Sequence, residues 1–148
     1  MLCINFSIRG LGRMNTQWKK IEELKIKKAE HVLVKDECGN KAIVCFMQDC
    51  KAFVTSSIEN RKVNMKNMNK LRWIELPPRY KKYSRDGWVR TGVGTPKEDS
   101  YVYVSIADLG VMIAQKKRNG TWLVSIGAEP RQFKVGNNRV EAWMELPR

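Results

Sequence analysis

The sequence predicts a mainly β protein: two similar small antiparallel β-meander units, related by an internal 70-residue repeat and packed together. Three observations carry that expectation. They are an ungapped repeat, short runs of β-branched and aromatic residues cut by turn residues, and closing segments that both end on Leu-Pro. Trp18 and Trp88 stand 70 residues apart, and so do Trp73 and Trp143. At the same offset "HVLV" at 31–34 falls on "YVYV" at 101–104, Ile43 falls on Ile113, and Glu75-Leu76-Pro77 falls on Glu145-Leu146-Pro147. Two tryptophans, an apolar quartet and a tripeptide in one register argue for duplication of a unit of roughly 60 residues.

The head of the first unit, "WKKIEELKIKK", has Ile21 and Leu24 on one helical face, but its counterpart "WVRTGVGTPK" is too rich in Gly and Pro for a helix. Both heads therefore read as irregular or extended. "HVLVK" and "SYVYVS" follow as strands on their β-branched and aromatic content. Gly39-Asn40 and Gly110 mark the next turns. "NKAIVCF" and "KAFVTS" flank "MQDC" in the first unit, as "GVMIAQ" and "TWLVSI" flank "KKRNG" in the second. Asn119-Gly120 suits the positive-φ pair of a two-residue hairpin turn. Trp122, directly after that turn, is expected to be exposed. In the last strand Val140, Ala142, Met144 and Leu146 share one face by period-2 alternation, leaving Trp143 among Arg139, Glu141 and Glu145. The matching face of the first unit holds Lys70, Arg72, Ile74 and Leu76. Pro77-Pro78 and Pro147 lack the N–H a ladder needs and stop each closing strand.

The chain divides into an N-terminal extension at 1–13, a first unit at 14–78, a basic linker at 79–87 and a second unit at 88–148. Met14 offers a second start before the organised sequence. A hydrophobic content of 43% argues against a disordered chain, and no run reaches the roughly 18 apolar residues of a membrane span. Arg9 interrupts the apolar start and no cleavage site follows, so a cytoplasmic chain is expected rather than a secreted one. Reduced thiols go with that location, and Cys3, Cys38, Cys45 and Cys50 lack the paired spacing of a zinc site, with only His31 to help them. No metal or other cofactor is expected.

A tryptophan-led segment, "VLV", a hairpin and a closing "RWIELPP" together resemble a phage and prophage family called domain of unknown function five-five-one. The resemblance covers residues 18–78 and, with a departure at "GWVRTGVGTPKEDS", residues 88–147. It implies a compact β fold in a phage-type setting, with the host cytoplasm as location. The family has no established activity, so the resemblance implies no catalytic residue.

Catalysis would need a nucleophile with its base, paired carboxylates or a metal. The repeat keeps none of these: His31 falls on Tyr101, Cys38 on Asp108, Cys45 on Gln115 and Cys50 on Gly120. A non-enzymatic protein is the expectation. Glu75 and Glu145 are shared, but read as solvent-facing positions of a closing strand. The "GVG" at 92–94 is a turn, since no Lys and Ser or Thr of a phosphate-binding helix follows. Trp18, Trp73, Trp88 and Trp143, at the boundaries of the units, read as structural anchors.

The charge is the compositional outlier. The chain carries 28 Lys and Arg against 15 acids, a net +13, with +7 in residues 1–78 and +6 in residues 79–148. A polyanion is thus a candidate partner. Within the linker "RYKKYSR", Arg79, Lys81, Lys82 and Arg85 alternate with Tyr80 and Tyr83, the mixture of cations and aromatics that single-stranded nucleic acid favours. Lys116, Lys117 and Arg118 form a second cluster at the hairpin tip. The sequence therefore leads to a non-catalytic binding module for nucleic acid or another polyanion. The alternative is a phage accessory protein that binds and modulates an acidic host protein, in counter-defence or regulation.

Overall fold

The computed structural model describes residues 17–26, 29–49, 51–58, 62–82, 87–127, 131–135 and 139–148, with 131–135 described by backbone alone. The extension at 1–13, Cys3, Cys50, Tyr83 and Arg85 lie outside the described residues. In the first unit, β1 (Lys19–Lys20) leads through a single turn of 3-10 helix into β2 (Glu30–Lys35), β3 (Lys41–Phe46), β4 (Ala52–Ser57) and β5 (Arg72–Glu75). The second unit comprises β6 (Val89–Arg90), β7 (Tyr101–Ile106), β8 (Gly110–Lys116), β9 (Trp122–Ile126), β10 (Arg131–Val135) and β11 (Val140–Glu145). Among the described residues all strand pairings are antiparallel, in a five-stranded sheet β1-β5-β2-β3-β4 and a six-stranded sheet β10-β9-β8-β7-β11-β6.

The repeat reappears as strand register. Lys19 opposite Trp73 recurs as Val89 opposite Trp143, Val32 opposite Glu75 as Val102 opposite Glu145, and Val32 opposite Val44 as Val102 opposite Ala114. Three strands meander in the first unit and four in the second, and the closing strand then returns to lie beside the first of them. That is the order of a Greek key. Strand β10 has no counterpart strand among the described residues of the first unit. There Val63 and Met65 pack on the sheet instead.

Both faces of each sheet are buried, which is why "HVLV" and "YVYV" show no polar alternation. On one face of the first sheet Val32, Val34, Val44, Phe46 and Trp73 pack under Ile21, Leu24, Val63 and Met68. On the matching face of the second, Val102, Val104, Ile106, Trp122 and Val124 form a separate cluster. The inner faces meet each other: Leu33, Ile43 and Ile74 pack with their repeat equivalents Tyr103, Ile113 and Met144 in one cluster. The two units share this core.

Reciprocal bonds seal the joint. Trp18 Nε1 donates to the carbonyl of Arg148 at 2.7 Å, and Trp88 Nε1 donates to that of Pro78 at 2.9 Å. Donors and acceptors are both offset by one repeat, so each unit's leading tryptophan ties down the end of the other. This is the pattern of an isologous, two-fold interface within a single chain.

Local expectations differ from the structure at three points. Trp122 is not exposed but wholly buried: it lies two positions before Val124 on β9, so both point to the same outer cluster. The hairpin at Asn119-Gly120 exists, but its loop closes through Lys117 N–H on Thr121 O at 2.9 Å, with Gly120 at φ +87° and no positive φ at Asn119. That makes it a three-residue loop ending on a left-handed glycine, with the Asn119 Oδ1 accepting from Thr121 N–H and hydroxyl. Finally, Val140 does not share a face with Ala142, because a register shift between the two turns Val140 to the outer cluster. Trp143 packs half-buried against that cluster and shares its face with the charged Glu145.

Candidate functional site

The linker leaves the first sheet at Glu75 and is held down before it reaches the second. Arg79 donates to the carbonyl of Ile106 at 3.2 Å, and the Tyr80 N–H donates to Ser105 Oγ at 3.2 Å. The Tyr80 ring packs half-buried against the shared core. Lys81 and Lys82 follow as exposed residues. Arg79 and Tyr80 thus carry out structural work, while the cations beyond them remain on the surface.

A groove of about 380 Å³ opens beside this segment, lined by Tyr80, Lys82, Trp88, Val89, Arg90 and Val93. It brings the linker against β6, so two cations, Lys82 and Arg90, converge on an aromatic edge at the seam between the units. Trp88 is buried at 7% exposure and spends its N–H on Pro78, so it serves as the groove's floor rather than as a free stacking surface. Val93, at 70% exposure, forms an apolar lip. Arg90 was not singled out in the sequence, because only strand β6 brings it level with the linker.

The tip cluster is arranged differently. Lys117 Nζ pairs with Asp99 Oδ1 at 2.8 Å, and Arg118 Nε pairs with Glu98 Oε1 at 3.2 Å. Lys116 folds back over the Trp122 ring, 4.9 Å from its centroid, and donates to Gly120 O at 3.2 Å. Burial pushes its pKa below the ordinary lysine range. Acids from the segment before β7 therefore offset much of the positive potential that the tip shows in the sequence.

Trp73 and Trp143 anchor their heads, donating to Lys20 O and Gly94 O at 2.9 Å in each case. The motif they open also does something its sequence did not suggest. Trp73, Glu75 and Leu76 line a pocket of about 430 Å³ in the first unit. Trp143, Glu145 and Leu146 line one of about 390 Å³ in the second. The two pockets occupy equivalent positions of the repeat. Glu75 and Glu145 do face solvent, but over these pockets; the shared spacing of Trp and Glu was the available signal.

Among the described residues no three His, Cys, Asp or Glu gather as a metal-binding group, and no helix is long and apolar enough to cross a membrane. Cys45 is buried, its thiol pushed up by desolvation and 3.7 Å from Met47 Sδ, whereas Cys38 is exposed. No protein-family model matches the chain, and no curated protein or solved structure matches it significantly.

Proposed function

We propose that the protein is a non-catalytic binding module that holds single-stranded nucleic acid along the groove at the seam of its two units. The observation that carries this reading is the convergence of Lys82 and Arg90 on Tyr80 in one groove, on a chain of net charge +13. Cations neutralise phosphates and release counterions, and an aromatic edge accepts any base without reading its identity. The exposed Lys81 extends the same basic track. Because Arg79 and Tyr80 are already bonded to the second unit, less order has to be imposed on binding. The resemblance carried by the tryptophan-to-Leu-Pro motif adds a phage-type setting to this reading.

The test is the affinity of the nuclease-treated protein for labelled single-stranded DNA and RNA across a salt series. Log affinity should fall linearly with log salt, and Lys82→Glu with Arg90→Glu should reduce the slope by about 1.4, at roughly 0.7 per lost phosphate contact. Lys117→Glu with Arg118→Glu, at the acid-paired tip, should change the slope less. Negligible binding near physiological salt would overturn the reading, and an acidic protein partner would then be the target to seek.

A further inference from the structure

Strand pairing lines up four cations that are scattered along the chain. Lys20 on β1 lies opposite Arg72 on β5, Arg72 opposite Lys35 on β2, and Lys35 opposite Lys41 on β3. Directly opposed residues point to the same side of a sheet, so all four share the face of the first sheet that carries Leu33, Ile43 and Ile74. At about 4.8 Å per strand the row runs for about 14 Å, two residues along from those core side chains. Like charges opposed across strands are destabilising, so the row works against the pairing that creates it.

Among the described residues none of the four is ion-paired with an acid. Glu23 Oε2 accepts from the Lys20 backbone N–H at 2.8 Å, and the Asp36 carboxylate is taken up by its own turn. Arg72 Nη1 donates to the carbonyls of Leu71 and Asn69 at 3.0 and 3.4 Å, which fixes the side chain and leaves Nε and Nη2 to meet an anion. Lys35 Nζ stands 4.3 Å from the Trp18 ring centroid. Burial, and the charge of Lys35 beside it, push the Lys41 pKa below the ordinary lysine range. Lys20 is exposed and the other three are half-buried, so the row borders solvent. In the second unit the same positions hold Arg90, Ala142, Ser105 and Val111, a row with one cation, in which the buried Ser105 takes the Tyr80 N–H of the linker. The fold itself therefore does not call for the other three cations.

We propose that Lys20, Arg72, Lys35 and Lys41 form a phosphate-binding row that takes adjacent backbone phosphates of a nucleic-acid strand, at a site separate from the groove of Lys82 and Arg90. The class of ligand rests on the nucleic-acid reading given above. Phosphate oxygens accept from ammonium and guanidinium donors alike, and an anion laid across the row relieves the repulsion between opposed like charges. Half-burial lowers the local dielectric around three of the cations and so strengthens their attraction for it. Four donors spread over about 14 Å suit a chain of phosphates better than a single one.

The experiment titrates the full chain with inorganic tripolyphosphate and, separately, with a single-stranded oligothymidylate, following the Trp18 indole N–H resonance. Both probes should move it saturably, since Trp18 lies under Lys35 and is bonded to the Arg148 carbonyl. Lys20→Gln with Lys41→Gln, which leaves the Lys35 contact and the Arg72 bonds in place, should weaken tripolyphosphate binding several-fold. The same pair should lower the salt slope for the oligonucleotide by about 1.4, at roughly 0.7 per lost phosphate contact. Lys20→Gln alone, at an exposed position, should lower it by about half as much and keeps the test decisive even where Lys41→Gln disturbs the strand. A Trp18 response to tripolyphosphate without oligonucleotide binding would sink the nucleic-acid reading while upholding the row as a phosphate site. A Trp18 unmoved by both probes, or an unaltered slope in the double variant, would overturn the row. If Lys82→Glu with Arg90→Glu lowered the slope in that same series, the groove reading would still stand.

Discussion

Asp36 closes the turn after β2, and its carboxylate accepts hydrogen bonds from the N–H groups of Cys38, Asn40 and Asn64 and from the Asn40 side-chain amide, at 2.9 to 3.1 Å. Burial by itself raises its pKa, but those four donors outweigh burial and hold the carboxyl below the ordinary aspartate range. The native group therefore gives up its proton more readily than the unfolded one, and its stabilisation is complete above the unfolded pKa. It is lost as pH falls through the native value. Urea midpoints measured against pH should accordingly drop below about pH 4, and Asp36→Ala should cost about 1–3 kcal/mol at neutral pH while flattening that drop. A short-range turn around Asp36 was legible from Gly39-Asn40. The bond to Asn64 was not, because it spans 28 residues and depends on where the segment before β5 comes to rest.

At the scale of elements, β4 shows how a single register shift separates equivalent residues. Val44 opposes Val54 as Ala114 opposes Val124, but the ladder slips between Ile43 and Val44, so Ser56 rather than Thr55 becomes the counterpart of Ser125. The Ser56 hydroxyl accepts from the N–H of Ile113 at 2.9 Å and donates to the carbonyl of Ser125 at 2.6 Å, two residues paired across β8 and β9. It thereby joins the sheets at their seam, next to the bond from Gly127 N–H to Thr55 O. Ser125 Oγ is equally buried but has no such partner. Ser56→Ala should cost about 1–3 kcal/mol in a urea titration and Ser125→Ala close to nothing, since only the first strands buried polar groups. Equal costs would show that the serines act through packing alone. The strands themselves were readable from β-branched runs and turn residues. The slip was not, because no glycine or proline marks it.

For the molecule as a whole, the shared core decides what each unit can do alone. Residues 14–80 expressed separately would uncover Leu33, Ile43 and Ile74 and leave Trp18 without the Arg148 carbonyl. A unit of this size has little core to spare. It should be unfolded, or should self-associate through the surface that now meets the second unit, since an isologous joint presents compatible faces. Sedimentation and a proton–nitrogen correlation spectrum distinguish these outcomes from a well-dispersed monomer, which would mean that the joint is dispensable.

By itself the sequence determined that this is a duplicated, mainly β protein whose strands recur at a 70-residue offset, because period, β-branching and turn chemistry act over a few residues and leave local signals. It also marked the four boundary tryptophans and the excess of positive charge. Only the tertiary structure decided that Trp122 is buried, that the tip cations are offset by Glu98 and Asp99, and that Arg90 joins Lys82 in the groove. It alone showed the Trp–Glu pair of each closing strand opening onto a pocket. Those outcomes depend on which faces meet when the two sheets pack, and contacts between residues distant in sequence have no periodicity from which to be read.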